Sequence, residues 1–324
     1  DTEKTLKPRA PFTTSTLQQT AANRLGFTSR KTMQIAQQLY EGVNMGSNRV
    51  GLITYMRTDS TRLSKQSIDE VREFLSKNFP DQLPEKPNSY AASKSAQDAH
   101  EAIRPTYPAY SPDYVKEHLT RDQLKLYSVI WERFVSCQMT TARTKTTTLD
   151  FSIGKGIFRV SATAVVEPGF QKVLKLLKSK EKKVVLPALK EGDAVDVVEL
   201  LPEQHFTAGP ARYTDASIIK MLEEKGIGRP STYAPIISRL LDRYYVVRKN
   251  RQLVATTLGK IISDILVDTF PDIIEVSFTA GMEERLDLVE ENKQEWHKMI
   301  GDFYAPFRKR VDHVMETLES IKGI

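Results

Sequence analysis

One cysteine, Cys137, stands among 324 residues, so there is neither a disulfide framework nor the clustered thiolates that a structural zinc module requires. A reducing, cytosolic setting fits that usage. No apolar run approaches the roughly 20 residues needed to span a membrane. The chain contains no Asp-x-Asp-x-Asp triplet to hold a magnesium ion, and no Gly-x-x-x-x-Gly-Lys-Ser/Thr loop to cradle a nucleoside triphosphate. Internal repeats and low-complexity tracts are missing as well. The start, DTEKTLKPRAPFTTSTL, has neither an initiator methionine nor a secretory apolar region, and reads as an internal piece of a longer polypeptide.

What remains is an ordinary globular composition, 40% hydrophobic and 27% charged, at a length that suits two or three domains. Lys and Arg number 47 against 41 Asp and Glu, a net charge of +6. Such a surplus suits a polyanionic partner, and equally a protein that only needs to stay dissolved. Cys137, within the apolar stretch WERFVSCQM, is expected to be a buried helical residue and not a reactive thiol.

Along the chain the pattern changes twice. Residues 17–139 are mostly helical in spacing, as in SRKTMQIAQQLYEGV and SIDEVREFLSKNF, with one short strand predicted at RVGLITYM. Residues 140–206 turn β-rich, with TTTLDFSI, IFRVSATAVV and DAVDVVELL as strand-length runs. Between them QKVLKLLKSKEKK is a short helix or a basic connection. Residues 207–324 return to helical spacing, and TDASIIKMLEEKG, RPSTYAPIISRLLDR, YYVVRKNRQLVATT and LGKIISDILVDTF follow the order of a winged helix-turn-helix. The fold class is therefore multidomain α+β.

Three clusters carry chemistry. In GLITYMRTDS, Tyr55 and Arg57 are two apart and project from one face of an extended chain. A free tyrosine titrates near about 10, so its hydroxyl needs help to attack phosphorus, and a guanidinium can bind the phosphate through two parallel hydrogen bonds. An ordinary strand tyrosine beside a surface arginine is the plain alternative. In SAQDAHEAIRPT, His100 and Arg104 share a face if the stretch is helical up to Pro105, and both would then reach one phosphate; otherwise Glu101 and Arg104 are a solvated pair at a helix end. In KGIGRPSTYAPIISRLLDR, Pro230 at the first helical position, with Ser231 and Thr232 in the first turn, would present free backbone N–H groups to a phosphate beside Arg229, or simply cap a helix. Ile236, Ile237, Leu240 and Leu241 belong to a core under either reading.

GLITYMRTDS, taken with PFTTSTLQQTAANRLGFTSRKTMQIAQQLYEG upstream, AHEAIRPT and GIGRPSTYAPIISRLLDR, resembles the bacterial topoisomerase I branch of the type IA DNA topoisomerases, in the family's order and with about its spacing. Met56 favours that branch over topoisomerase III, where proline is common. The resemblance implies parts of a toroidal core: residues 1–16 as the first strand of an arch, 17–139 as the helical domain of the active-site tyrosine, 140–206 as the β-rich arch and hinge, and 207–324 as most of a winged-helix-like DNA-binding domain. It implies that Tyr55 is the nucleophile of a 5′-phosphotyrosyl link, that Arg57 stabilises the scissile phosphate with His100 beside it, and that Arg104, Arg229, Thr232 and Arg243 meet DNA. The partner would be DNA, preferentially single-stranded.

The family's reaction also needs a TOPRIM domain that binds Mg²⁺, and no stretch here resembles it. The expectation is therefore a core piece that binds single-stranded DNA without turnover. In the intact enzyme the outcome would be ATP-independent relaxation of negatively supercoiled DNA, by a monomer in the cytoplasm at the nucleoid. The rival reading is a non-enzymatic winged-helix DNA-binding protein with Tyr55 packed in a core. An RNA-acting member of the same family also stays open, because nothing here reads a 2′-hydroxyl.

Overall fold

Threonine and serine hydroxyls start most of the helices. In the computed structural model, which describes residues 1–91, 100–177 and 184–317, Thr13 and Thr28 cap α1 (Thr14–Leu25) and α2 (Ser29–Glu41). Ser64, Ser111 and Thr120 cap α3 (Lys65–Asn78), the short α4 (Pro112–Val115) and α5 (Arg121–Cys137). Each side chain accepts a backbone N–H that has no partner within its helix, and loss of such a cap costs about 1 kcal/mol. Thr13 with Thr16 and Thr120 with Gln123 are reciprocal capping boxes.

These helices wrap α5, in which every residue from Leu126 to Cys137 is buried. Phe12, Leu17, Leu39, Leu52, Met56, Leu75 and Ile103 close around it as one core. Cys137 is buried as expected, and burial pushes its thiol up to about 12. Arg133 also lies in this core, its guanidinium 4.2 Å from the centre of the Phe12 ring.

A three-stranded antiparallel sheet runs in the order β1 (Thr2–Leu6), β4 (Ala142–Ile153), β5 (Gly156–Glu167), so the first residues pair with the later β segment. Both faces are largely solvated, and polar cross-strand pairs hold the sheet: Thr146 with Thr163, Thr148 with Ser161, and Asp150 with Arg159. Gly169, at φ +45°, turns the chain back onto the helical unit where a Cβ would lie 2.1 Å from the Thr141 carbonyl oxygen.

Two expectations need correction. Arg49–Met56 is not one strand. A hairpin of β2 (Val43–Met45) and β3 (Asn48–Val50) precedes an extended segment bridged at a single point, Ile53 to Pro105. No ladder forms because its hydrogen bonds go to different segments: Leu52 N–H to Leu39, Thr54 N–H to Arg104. DAVDVVELL is not a strand either. Residues 184–213 hold no helix or strand, and Val195, Val198 and Leu201 are exposed: among the described residues no strand is presented for them to pair with. QKVLKLLKSKEKK contributes a 3-10 turn at Gly169–Val173, and residues 178–183 of it lie outside the described part.

The later segment runs helix, helix, hairpin, helix in the expected order: α6 (Asp215–Glu224), α7 (Tyr233–Asp242), a hairpin of β6 (Val246–Lys249) and β7 (Gln252–Ala255), then α8 (Thr257–Thr269). Asn250 and Arg251 both take positive φ, the turn that matches the twist of a two-residue hairpin. Ile219, Leu222, Tyr233 and Ile237 form its small core, with Ile236 and Leu241 packed on it and Leu240 partly buried. The chain continues through α9 (Pro271–Ile274), α10 (Val276–Glu290) and α11 (Trp296–Thr317). This unit docks on the tyrosine unit through α6 on α1 and α7 on α2.

Candidate active site

Tyr55 sits on a segment held from both flanks. On one side Thr14 anchors it, its hydroxyl donating to Met56 O at 2.7 Å and accepting from Thr58 N at 2.9 Å. On the other side Thr54 N–H donates to Arg104 O at 2.9 Å, and its hydroxyl donates to Ala102 O at 2.8 Å. Burial then alternates residue by residue: Met56 and Thr58 point into the core, Tyr55 and Arg57 outward. The two-residue spacing thus acts as it would on a strand although no strand is formed, and tyrosine and guanidinium share an open face.

The ring of Tyr55, 39% exposed, stands between two others. Tyr40, at the end of α2, meets it edge-on at 5.5 Å, and His100 lies 5.8 Å away at 42°. Gly51 permits the Tyr40 side of this arrangement, since a Cβ there would fall 2.7 Å from the Tyr40 carbonyl oxygen.

The His100 segment is extended and not helical, with bridges from Ile103 to Phe12 and from Pro105 to Ile53. Backbone bonds from Ile103 to Phe12 O and Thr106 to Leu52 O outbid an isolated helical turn that would have ended at Pro105. Residues 92–99, including the start of SAQDAHEAIRPT, lie outside the described part. Arg104 is turned inward, with Nη2 on Glu101 at 2.8 Å and Nη1 on Pro105 O at 3.1 Å. Glu101 also receives the Ser64 N–H at 2.8 Å. Burial raises the Glu101 carboxyl, but the bonds from Ser64 and Arg104 outweigh it and hold the group below the usual carboxylate range. The pair is half-buried, not a solvated ion pair at a helix end.

The glycine-rich loop also departs from expectation. Its helix begins at Tyr233, and Pro230–Thr232 form a preceding turn. Thr232 Oγ1 accepts the Arg229 N–H at 2.8 Å, which closes the turn before α-helical bonding starts. The Arg229 guanidinium is gripped by Asp287 at 2.7 Å and by Glu283 at 3.7 Å, both on α10. Burial disfavours its charge, yet the Asp287 bond and the two carboxylates raise its pKa further. Asp59, the acid of the tyrosine motif, lies within the electrostatic reach of Arg229, His100 and Asp287. Burial is the largest influence on Asp59 and lifts its carboxyl above the usual range, against its backbone hydrogen bond and the charges of Arg229 and His100. Beside them the Tyr233 phenol is pushed up to about 12, chiefly by burial.

Between α2 and α7 opens a cleft of ≈ 670 Å³, lined by Arg30, Arg57, Ser231, Arg239, Asp242 and Arg243 among others. The structure therefore gathers Tyr55, Arg57 and His100, brings Arg243 to the same cleft as Arg57, and ties Arg104 and Arg229 to carboxylates. Sequence reading missed Tyr40, Asp59, Glu283 and Asp287. Asp59 was open to notice, four residues after Tyr55 in the same motif, whereas nothing in the sequence connects α10 to Arg229.

The arrangement suits nucleophilic attack on a phosphodiester: a phenol open to solvent, a guanidinium on the same face for the phosphate oxygens, and an imidazole beside the phenol. Among the described residues no three His, Cys, Asp or Glu converge as a metal site. The magnesium that the resemblance implies finds no ligand set among the described residues. No helix is long and apolar enough to cross a membrane.

Residues 1–301 match the family model described as DNA topoisomerase. The chain is 59% identical over 323 residues to DNA topoisomerase 1 of Treponema pallidum (strain Nichols), covering 99% of this chain and 44% of the relative. Against DNA topoisomerase 1 of Campylobacter jejuni it is 41% identical, covering 99% and 46%. A solved structure of full-length topoisomerase I from Thermotoga maritima superposes with a TM-score of 0.82 at 37% identity, over 95% of this chain and 50% of that one. The chain thus spans about half the length, or less, of the proteins it is similar to.

Proposed function

The chain belongs to the bacterial DNA topoisomerase family, and from that premise we propose that it carries the strand-cleaving tyrosine of a type IA enzyme. The Tyr55 hydroxyl attacks a phosphodiester of one DNA strand. A bond forms from Tyr55 Oη to phosphorus as the bond from phosphorus to O3′ breaks; the phenol proton is released, and O3′ leaves as a hydroxyl. Tyr55 keeps the 5′ phosphate. Attack by the same 3′-hydroxyl reverses the reaction after a strand has passed, and because one phosphoester replaces another, no ATP is consumed. Arg57 binds the phosphate oxygens as negative charge builds on them, and His100 donates to the same phosphate or orients it.

The observation that carries this reading is the outward pairing of Tyr55 and Arg57 with His100 at 5.8 Å from the tyrosine ring. It speaks against a purely DNA-binding protein with Tyr55 in a core, because the ring is 39% exposed. Arg243, on the cleft beside Arg57, meets the backbone directly. Arg104, Arg229 and Thr232 stand one step back, and would reach a phosphate only by exchanging their present partners for it.

Alone, this chain binds single-stranded DNA as a monomer and does not turn over. Mg²⁺, with the TOPRIM domain that holds it in the family, completes the site, and the intact enzyme relaxes negatively supercoiled DNA at the nucleoid. A denaturing-gel assay on 3′-end-labelled single-stranded DNA tests the reading, with a TOPRIM fragment and Mg²⁺ supplied or withheld. A covalent adduct that needs the added domain and vanishes in Tyr55→Phe is the expected result. No adduct under either condition, with the two pieces shown to associate and DNA shown to bind, would overturn it.

A further inference from the structure

Arginine is concentrated on both walls of the cleft between α2 and α7. Arg30 comes from the first turn of α2, Arg57 from the tyrosine segment, Arg239 from the last turn of α7 and Arg243 from its C-cap. Asp242 is the one acid among the cleft's lining residues. Among the described residues none of the four arginines is in an ion pair, whereas their neighbours are matched: Lys31 with Asp122, Arg229 with Asp287, Arg248 with Asp215.

Arg30 is also poorly placed for its own helix. The N-terminal turn of α2 carries no acidic residue of its own, the Asp215 carboxylate on its Ser29 N–H is already paired with Arg248, and a cation at the positive end of a helix dipole is disfavoured by about 0.3–1 kcal/mol. Stability of the chain by itself does not account for Arg30 at that position. A bound anion does, since Arg30 and Arg57 on one wall face Arg239 and Arg243 on the other.

We propose that Arg30 and Arg239 are phosphate-positioning residues that hold the backbone of single-stranded DNA in this cleft, next to Tyr55. The inference rests on the reading of Tyr55 given above and deepens it. Arg30 belongs to the tyrosine unit and Arg239 to the winged-helix unit, so one bound strand ties the two together across their seam. The contacts are to phosphate and carry no sequence preference.

The test is fluorescence anisotropy of the full chain with a labelled oligothymidylate and with a mixed-sequence oligonucleotide across a salt series. Arg30→Gln, Arg239→Gln and the double variant are compared with the unaltered chain, with thermal unfolding as the check on folding; both positions are exposed. Each lost phosphate contact lowers the slope of log affinity against log salt by about 0.7, so the double variant is expected to lose about 1.4 and to bind roughly 10-fold more weakly near ~0.1 M salt. The loss should be equal on both oligonucleotides. Lys155→Gln, at the tip of the β4–β5 hairpin, is expected to keep the slope. A double variant with the unaltered slope, or an equal loss in Lys155→Gln, overturns the inference while the reading of Tyr55 stands. An unaltered chain that binds neither oligonucleotide removes both.

Discussion

Asp215 and Arg248 form an ion pair at 2.9 Å, and the same carboxylate accepts the backbone N–H of Ser29, also at 2.9 Å. One buried side chain at the start of α6 thereby joins the β6–β7 hairpin to the first turn of α2. Asp215→Ala removes an anion and leaves an arginine and a helix N-terminus without their partner. Because Arg248 keeps 33% exposure, the cost should fall below that of a fully buried pair, at about 2–3 kcal/mol. A urea-denaturation series would register it as an earlier midpoint. Arg248→Ala should cost less, and a double-mutant cycle should return a coupling of at least ~1 kcal/mol. An unchanged midpoint in Asp215→Ala would refute the account of this junction.

Gly51 is the position where local chain path and site geometry meet. A methyl group at 2.7 Å from the Tyr40 carbonyl oxygen has no room, and that atom is backbone, so the segment must shift. Gly51→Ala is expected to cost about 1–3 kcal/mol. Its larger effect should fall on adduct formation, because Tyr40 and Tyr55 lose their edge-on packing together. Circular dichroism melts alongside the adduct assay separate the two effects; wild-type cleavage with lowered stability would show that the contact is structural only.

What the sequence disclosed follows from range. Local signals read well: apolar spacing in α2 and α3, and the helix, helix, hairpin, helix order of α6, α7, β6–β7 and α8, were visible in the sequence. The outward face shared by Tyr55 and Arg57 was legible for the same reason, since alternation needs only an extended backbone. Helicity at His100 was misjudged because backbone partners at Phe12 and Leu52 decide that segment, and neither is local. DAVDVVELL has strand chemistry, but a strand also requires a neighbour. The carboxylates that grip Arg229 lie 54 and 58 positions away on a helix that had drawn no attention.

Two glutamates should give opposite pH signatures. Glu101 is held below the usual range, since the Ser64 and Arg104 bonds overcome its burial. Its stabilisation is present above the unfolded-state value near ~4.5 and is lost as pH falls through the depressed folded-state value. Glu132 is raised, because burial outweighs the backbone N–H bonds it accepts from Leu176 and Leu177. Its contribution is present below ~4.5 and is lost as pH rises through the folded-state value. Thermal midpoints between about pH 3 and 7 should therefore fall less steeply on acidification in Glu101→Gln, and decline less toward neutrality in Glu132→Gln. Parallel curves for the two variants and the unaltered chain would contradict both assignments.

Arg57→Lys separates charge from geometry at the phosphate. The ammonium keeps the positive charge that attracts DNA but lacks the planar fork that binds two phosphate oxygens at once. If Arg57 serves mainly to draw the strand into the cleft, lysine should suffice, because Arg243 lines the same cleft and supplies charge of its own. If it stabilises charge that builds on the phosphate as Tyr55 attacks, adduct formation should fall about 100-fold while binding of single-stranded DNA changes by less than about 3-fold. Single-turnover cleavage in the presence of a TOPRIM fragment and Mg²⁺, set beside anisotropy binding, measures both quantities on one preparation. We expect the second pattern, since Arg57 shares its face with Tyr55 while the other arginines of the cleft come from different elements. Equal losses in binding and cleavage would reduce Arg57 to a docking charge, and leave His100 as the group nearest the tyrosine with a part in the chemistry.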